Sequence, residues 1–230
     1  MNITTIKAID LPDAWFQCVY NIFNPVNSRK RKIDKGSYEG EIRLEYDYIT
    51  VHIKDPGHRP LIPEIPARLG IPNPVESMEY VEDYFVNYLM GSIKSEGEQY
   101  TYGERVALSL NTVISRYKES GHGNNQLILQ VGAPEDIHLN DPPCLRHIDT
   151  RISDGKLHFI IYFRSWDLWG GFPANLAGMQ LLKEYMAQEI GVDDGEMICS
   201  SKGLHLYKYV WKLAALRTGK NIEEIRYAAE

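Results

Sequence analysis

The chain has 230 residues and a mass of 26.4 kDa, 43% hydrophobic and 24% charged, which excludes wholesale disorder and a fold that depends on disulfides or metal. Its 25 Lys and Arg against 31 Asp and Glu give a formal charge of −6. No domain-wide basic field is there to hold long DNA or RNA, although a few local arginines suffice for a small anion.

The three cysteines, Cys18, Cys144 and Cys199, stand in no metal-ligand spacing and read as free thiols of a reducing compartment. No apolar run reaches the ~18 residues of a membrane span, so a cytoplasmic protein is expected. The length fits a single domain over residues 1–230.

Asp10-Leu11-Pro12-Asp13 starts a helix that runs to Pro25, with Trp15, Val19, Tyr20 and Phe23 at helical spacing. Ser28-Arg29-Lys30-Arg31-Lys32 reads as a solvated turn, or as a clamp over a bound phosphate. Residues 41–53 alternate as a strand, but Ile42, Leu44, Tyr46 and Tyr48 take one phase and Ile49, Val51 and Ile53 the other. Such a flip requires a bulge or bend. The proline-rich stretch 55–74 reads as a long surface connection.

Helices are expected over 75–90 and 104–118, and a short buried strand over 127–131. Asp154-Gly155 joins two strands, 145–153 and 156–164, as a hairpin. A helix over 173–190 stops at Gly191, followed by a strand near 196–200, a helix near 205–217 and a short helix over 222–230. Strands interleaved with helices, with an antiparallel hairpin among them, indicate an α+β fold with a mixed sheet.

The polar residues that stand out lie between 142 and 207: Pro143-Cys144, Arg164-Ser165-Trp166-Asp167, Gly171-Phe172-Pro173-Ala174-Asn175 and His205-Leu206-Tyr207. Each alone has a plain structural reading: an inert thiol, a surface arginine, a helix cap, a core histidine. Their order and spacing together resemble thymidylate synthase and the related nucleotide hydroxymethylases. There a proline-cysteine precedes an Asp-Gly hairpin whose second strand ends in Arg-Ser-x-Asp, followed by glycine-x-proline-x-asparagine and His-x-Tyr.

The resemblance, closest to the divergent archaeal-type branch, implies a mixed, bent β-sheet flanked by helices and a C5-methyltransferase that converts dUMP to dTMP. Cys144 would add to carbon 6 of the uracil, with Arg164 favouring the thiolate. Arg164 and Ser165 would hold the 5′-phosphate, Asn175 the uracil edge, and His205 and Tyr207 the sugar hydroxyl. Asp167 would bind the reduced pterin, either methylenetetrahydrofolate or a methanopterin analogue, and no metal is implied. Tyr102 matches the family's active-site tyrosine. A catalytic glutamate is expected at Glu82, with Glu79 next in line.

Four positions depart from the family pattern: Leu145, Ala174, the tail from 222 to 230, and Asn124-Asn125-Gln126. Most members carry at this last place an arginine pair that reaches a twofold partner's phosphate. The phosphate then needs cations from elsewhere, with Arg29, Arg31 or Arg146 as candidates, and the protein is a monomer or a homodimer. A hydroxymethylase and a non-catalytic nucleotide-binding relative are the alternatives.

The hairpin adds a geometric condition. A two-residue turn at Asp154-Gly155 sets Cys144 opposite Ser165 and turns Arg164 to the other face. Cys144 and Arg164 share a pocket only if the hairpin contains a bulge, a different turn or frayed ends, and one of these is expected.

Overall fold

The structure is a computed structural model that describes residues 1–35, 38–94 and 99–221. Ten strands form two sheets: β1 (Ile3–Ala8), β2 (Ser28–Lys32), β3 (Ile42–Tyr46), β4 (Tyr48–Ile53), β5 (Ile128–Gln130), β6 (Leu145–Ser153), β7 (Lys156–Phe163), β8 (Trp166–Asp167), β9 (Asp193–Ser201) and β10 (Leu204–Tyr207). The large sheet has the order β1-β4-β9-β7-β6-β5 and the small one β2-β3-β10-β8. Both are mixed: β1 and β4, β7 and β9, and β8 and β10 pair parallel, the other neighbours antiparallel.

The expected bent sheet is thus two sheets joined at a crease. The chain passes directly from one to the other, with no helix between, at β3–β4, β7–β8 and β9–β10, and it also changes sheets through α1 and through α5. The phase flip in 41–53 is the first of the direct crossings. Asp47 separates β3 from β4, and the buried phase changes because the chain changes sheets.

Helix α1 (Leu11–Ile22) is capped by Asp10, which accepts from the Asp13 N–H, and it buries Trp15, Cys18 and Val19. Helix α5 (Gly171–Ile190) buries Leu176, Met179, Leu182 and Met186 and packs on β7 and β9. The inner face of the large sheet meets it with Phe159, Ile161, Met197 and Cys199, each no more than 1% exposed. Gly191 ends α5 in the left-handed conformation (φ +87°), and Asp154 and Gly155 (φ +52° and +72°) make the hairpin turn the sequence indicates.

Several elements differ from the sequence reading. The charge run 28–32 is no turn but the edge strand β2, because Arg29 and Arg31 find acidic partners across the sheet in Glu45 and Asp47. Helix 75–90 is α2 (Met78–Tyr84) followed by a wider turn, Phe85–Leu89, in which the Met90 N–H reaches back to the Phe85 carbonyl.

Helix 104–118 is split into α3 (Tyr102–Val106) and α4 (Leu110–Ser120), with Leu108 left in solvent between them. The stretch read as helix 205–217 opens with strand β10, since Leu204 and Leu206 belong to the core; helix α6 (Trp211–Thr218) follows. The short helix expected over 222–230 lies outside the described residues. Among those residues, no helix is long and apolar enough to cross a membrane.

Candidate active site

The crease opens into a cavity of about 650 Å³. Its floor is one face of the small sheet. Side chains directly opposite on antiparallel strands share a face, and the register sets Arg31, Arg43 and Tyr207 in one row across β2, β3 and β10. The next row holds Glu45, His205 and Asp167. All six line the cavity.

Charges on this floor are interlocked. Glu45 accepts from Arg31 Nε at 2.9 Å and lies 2.5 Å from Arg43 Nη2. Arg31 also reaches Asp47 at 3.0 Å, which Arg29 holds at 2.9 Å. Six cationic side chains line the cavity (Arg31, Lys32, Lys35, Arg43, Arg164, Lys202) against four acidic ones (Asp34, Glu45, Asp141, Asp167). An acidic chain therefore has a locally basic cleft.

The hairpin supplies the wall. Leu145 pairs with Phe163, yet His147 pairs with Tyr162, so Arg146 is the extra residue of a bulge. Its carbonyl accepts from both Val131 N–H and Gly132 N–H. The one-residue slip brings Arg164, not Ser165, opposite Cys144; the Arg164 N–H donates to the Cys144 carbonyl at 2.8 Å. Of the three irregularities that would let the two share a pocket, the bulge is the one present, and Cys144, Arg164 and Ser165 all line the cavity.

Arg164 folds back over the approach to the cysteine. Its Nε donates to the Pro142 and Pro143 carbonyls at 3.2 Å each, and Nη2 reaches Asp141 Oδ1 at 3.1 Å and the Pro142 carbonyl. Arg164 favours the thiolate as expected, but burial outweighs it. Burial pushes Cys144 above its ordinary value, and the Arg164 guanidinium offsets only part of that rise. Cys18 and Cys199 are fully buried thiols pushed higher still.

His205 is 2% exposed. Burial, helped by the Arg43 charge, pushes its pKa down to about 3, so the ring is neutral. Its Nδ1 is 2.8 Å from the Gly203 carbonyl, which makes Nδ1 the donor and leaves Nε2 as an acceptor. That Nε2 is buried with no partner among the described residues. Tyr207 packs edge-on against His205 and lies 4.6 Å from Tyr38 between ring centres; burial raises its pKa to about 12.

Asp167 lines the cavity while holding the start of α5, with Oδ2 accepting from Gly170 N–H and Gly171 N–H and Oδ1 from Trp169 N–H. Asn175 is held from both ends: Trp166 Nε1–H donates to its Oδ1 at 2.9 Å, and its Nδ2 donates to Tyr84 Oη at 3.0 Å. Asn175 is not among the cavity-lining residues; Trp166, which holds it, is. Trp169 instead packs against Trp15 in the core, 5.3 Å between ring centres.

Tyr102 lies behind the cysteine with its hydroxyl accepting from the Leu145 N–H at 3.3 Å, in a chain of ring contacts that includes Tyr84, Tyr88 and Tyr100. Burial drives the Tyr84 and Tyr102 hydroxyl pKa values far up, so both stay protonated.

Glu82 is not brought to the site, and neither is Glu79. Both are exposed on α2, because the helical register turns Val81 and Tyr84 inward. Of the extra cations named for a phosphate, Arg31 lines the cavity, while Arg29 pairs with Asp47 and Arg146 faces Asp136 at 3.7 Å. The sequence reading missed Arg43, Glu45, Tyr38, Lys202 and Tyr84. Arg43 and Glu45 had a signal, as the polar phase of a strand whose other phase is Ile42, Leu44 and Tyr46. Tyr84 had none beyond helical spacing.

Residues 93–224 match the family model for thymidylate synthase. A protein of Methanosarcina acetivorans named "Putative thymidylate synthase" is 30% identical over 214 residues, which is 90% of this chain and 91% of the relative. One of the same name from Methanothermobacter thermautotrophicus is 31% identical over 143 residues, covering 60% and 64%. Thymidylate synthase of Listeria monocytogenes is 39% identical over 85 residues, 36% of this chain and 27% of that protein. The chain belongs to the thymidylate synthase family.

Proposed function

We propose that the protein is a C5-methyltransferase that converts dUMP to dTMP, with Cys144 as nucleophile. The observation that carries this reading is the placement of a partly buried thiol beside Arg164 at the edge of a cleft with surplus positive charge. Carbon 5 of uracil becomes nucleophilic only after addition at carbon 6, and a thiolate is suited to add there and later leave. The electron pair displaced toward oxygen 4 needs fixed donors. A bound nucleotide would bring its phosphate toward Arg164, Ser165 and Arg31 and its sugar hydroxyl toward the free Nε2 of His205.

The reduced pterin, when bound, supplies the one-carbon unit and the reducing hydride. The residues fit such a group. Asp167 Oδ1 accepts one hydrogen bond and keeps room for another, and Tyr38, Tyr207 and Tyr209 form a stacked aromatic edge beside it. Tyr102 would brace the backbone beside the nucleophile. With Glu82 outside the cleft, the α2 residue that reaches Asn175 in this reading is Tyr84, whose protonated hydroxyl orients the carboxamide rather than moving a proton.

Release of tritium from 5-tritiated dUMP, with methylenetetrahydrofolate and a methanopterin donor in parallel, tests the reading. Release with either donor and a methylated product are expected. A hydroxymethylated product would reassign the chain to the hydroxymethylases, and nucleotide binding without release would make it non-catalytic.

Asn175 would read the base through the valences that Trp166 and Tyr84 leave open. An indole N–H can only donate, so Trp166 fixes which end of the carboxamide is oxygen. Trp166→Phe keeps the ring stacked on Phe163, now 4.0 Å away, but removes that donor. Preference for dUMP over dCMP should fall about tenfold, the worth of one hydrogen bond. Unchanged selectivity in a competition assay would contradict this role.

A further inference from the structure

We propose that Arg43, on β3, is a ligand for the nucleotide's phosphate, so that the cations needed there come from strands of one chain. This rests on the reading of the cleft as a nucleotide site. Asn124-Asn125-Gln126 carries no cation, and the other arginines near the cleft are largely committed. Arg164 spends Nε and Nη2 on the 141–143 segment, Arg31 bridges Glu45 and Asp47, and Arg146 does not line the cavity.

Arg43 is different. Its ion pair is with Glu45, a carboxylate that Arg31 already neutralises, so two guanidinium groups share one acid. Its Nε is buried and has no hydrogen-bond acceptor among the described residues, a state that costs stability unless an acceptor arrives. The side chain lies on the cavity floor between Arg31 and Tyr207.

The neighbouring row on the same face holds His205, whose Nε2 is an acceptor equally without a partner. Because Tyr207 opposes Arg43 and His205 opposes Glu45, Arg43 and His205 are diagonal neighbours, their backbones roughly 7 Å apart. One unpaired donor on a cation and one unpaired neutral acceptor call for a ligand with an anionic oxygen and a hydroxyl a few ångströms apart. A nucleoside monophosphate carries both. A guanidinium also offers a phosphate paired donors that a lysine cannot.

The test compares dUMP with 2′-deoxyuridine, which lacks only the phosphate, by ligand-observed NMR titration of the full chain. Wild type should prefer dUMP strongly. Arg43→Ala should weaken dUMP at least about tenfold while leaving deoxyuridine within about twofold. If losing the Glu45 partner prevents folding, the paired variant Arg43→Gln/Glu45→Gln, which leaves no carboxylate unmatched at that spot, should show the same loss confined to dUMP. Equal weakening of both ligands would make Arg43 structural, and unaltered dUMP binding would remove it from the site; either overturns the proposal while the nucleotide reading stands. Equal wild-type affinity for the two ligands would overturn the nucleotide reading and the proposal with it.

Discussion

Cys144→Ala is expected to abolish tritium release from 5-tritiated dUMP, by a factor of a thousand or more, while dUMP still binds. Nothing else near the cleft can replace the sulfur: Cys18 and Cys199 are buried in the core, and Ser165, beside Arg164, offers an alcohol that is a poor nucleophile without an adjacent base. Debromination of 5-bromo-dUMP needs only the thiol and should disappear with it. Turnover above about a hundredth of wild type in the variant would remove Cys144 from the mechanism.

The pH dependence follows from the same site. The Cys144 pKa lies above that of an ordinary thiol, so alkylation by iodoacetamide should quicken as pH rises, with a midpoint higher than for free cysteine. Arg164→Ala removes the largest opposing charge and should move that midpoint higher still. A midpoint below that of the free amino acid would contradict the burial argument.

Lys183→Ala is expected to destabilise the fold by about 3 kcal/mol in urea unfolding, from a lost partner and a vacated core position. Lys183 is 0% exposed; its ammonium donates to the Gly195 carbonyl and lies 3.3 Å from Asp194 Oδ1. Gly195 lies where β9 bulges against β7, and a Cβ there would come within 2.6 Å of the Leu157 carbonyl. The lysine therefore pins an irregular stretch of strand. The loss stays at the low end for a broken buried pair because Asp194 is 29% exposed and keeps its bond from Gln180.

Burial depresses the Lys183 pKa from 10.5 to about 8. The unfolded chain then binds this proton more tightly, and the charged form costs stability below pH 8 that is recovered as pH rises toward 10.5. The stability of wild type relative to Lys183→Met, which keeps the volume, should accordingly rise from pH 7 to pH 10. A relative stability that stays constant or falls would place the lysine in a wetter environment.

Much of the site was legible because its chemistry is carried by short segments in fixed order. Cys144, Arg164, Ser165, Asp167, His205 and Tyr207 all line one cleft, and the need for some irregularity in the hairpin, met by the bulge at Arg146, followed from the mismatch between turn length and shared face. What escaped was long-range pairing. A run of basic residues looks like a solvated turn until acidic partners across a sheet are known, and β1 gives little local sign of the parallel pairing with β4 that holds it. Glu82 failed for a related reason: a helix's inward face depends on what it packs against, and Gly178 of α5 leaves the space that the Tyr84 ring fills. Spacing alone could not say that a phenol would take the inward place.

The two halves of the cleft belong to different sheets. The sulfur stands just before β6 of the large one, while the arginine–histidine floor is carried by the small one, and three direct chain crossings help set the angle between them. In the proposed reaction that angle would gauge the distance between reacting carbon and anchored anion, and a misplacement of about 1 Å can cost roughly a hundredfold in rate. If that reaction is the protein's own, substitutions at the crossings should register in turnover well before they register in melting, and directed evolution of this scaffold would do best to leave those junctions untouched.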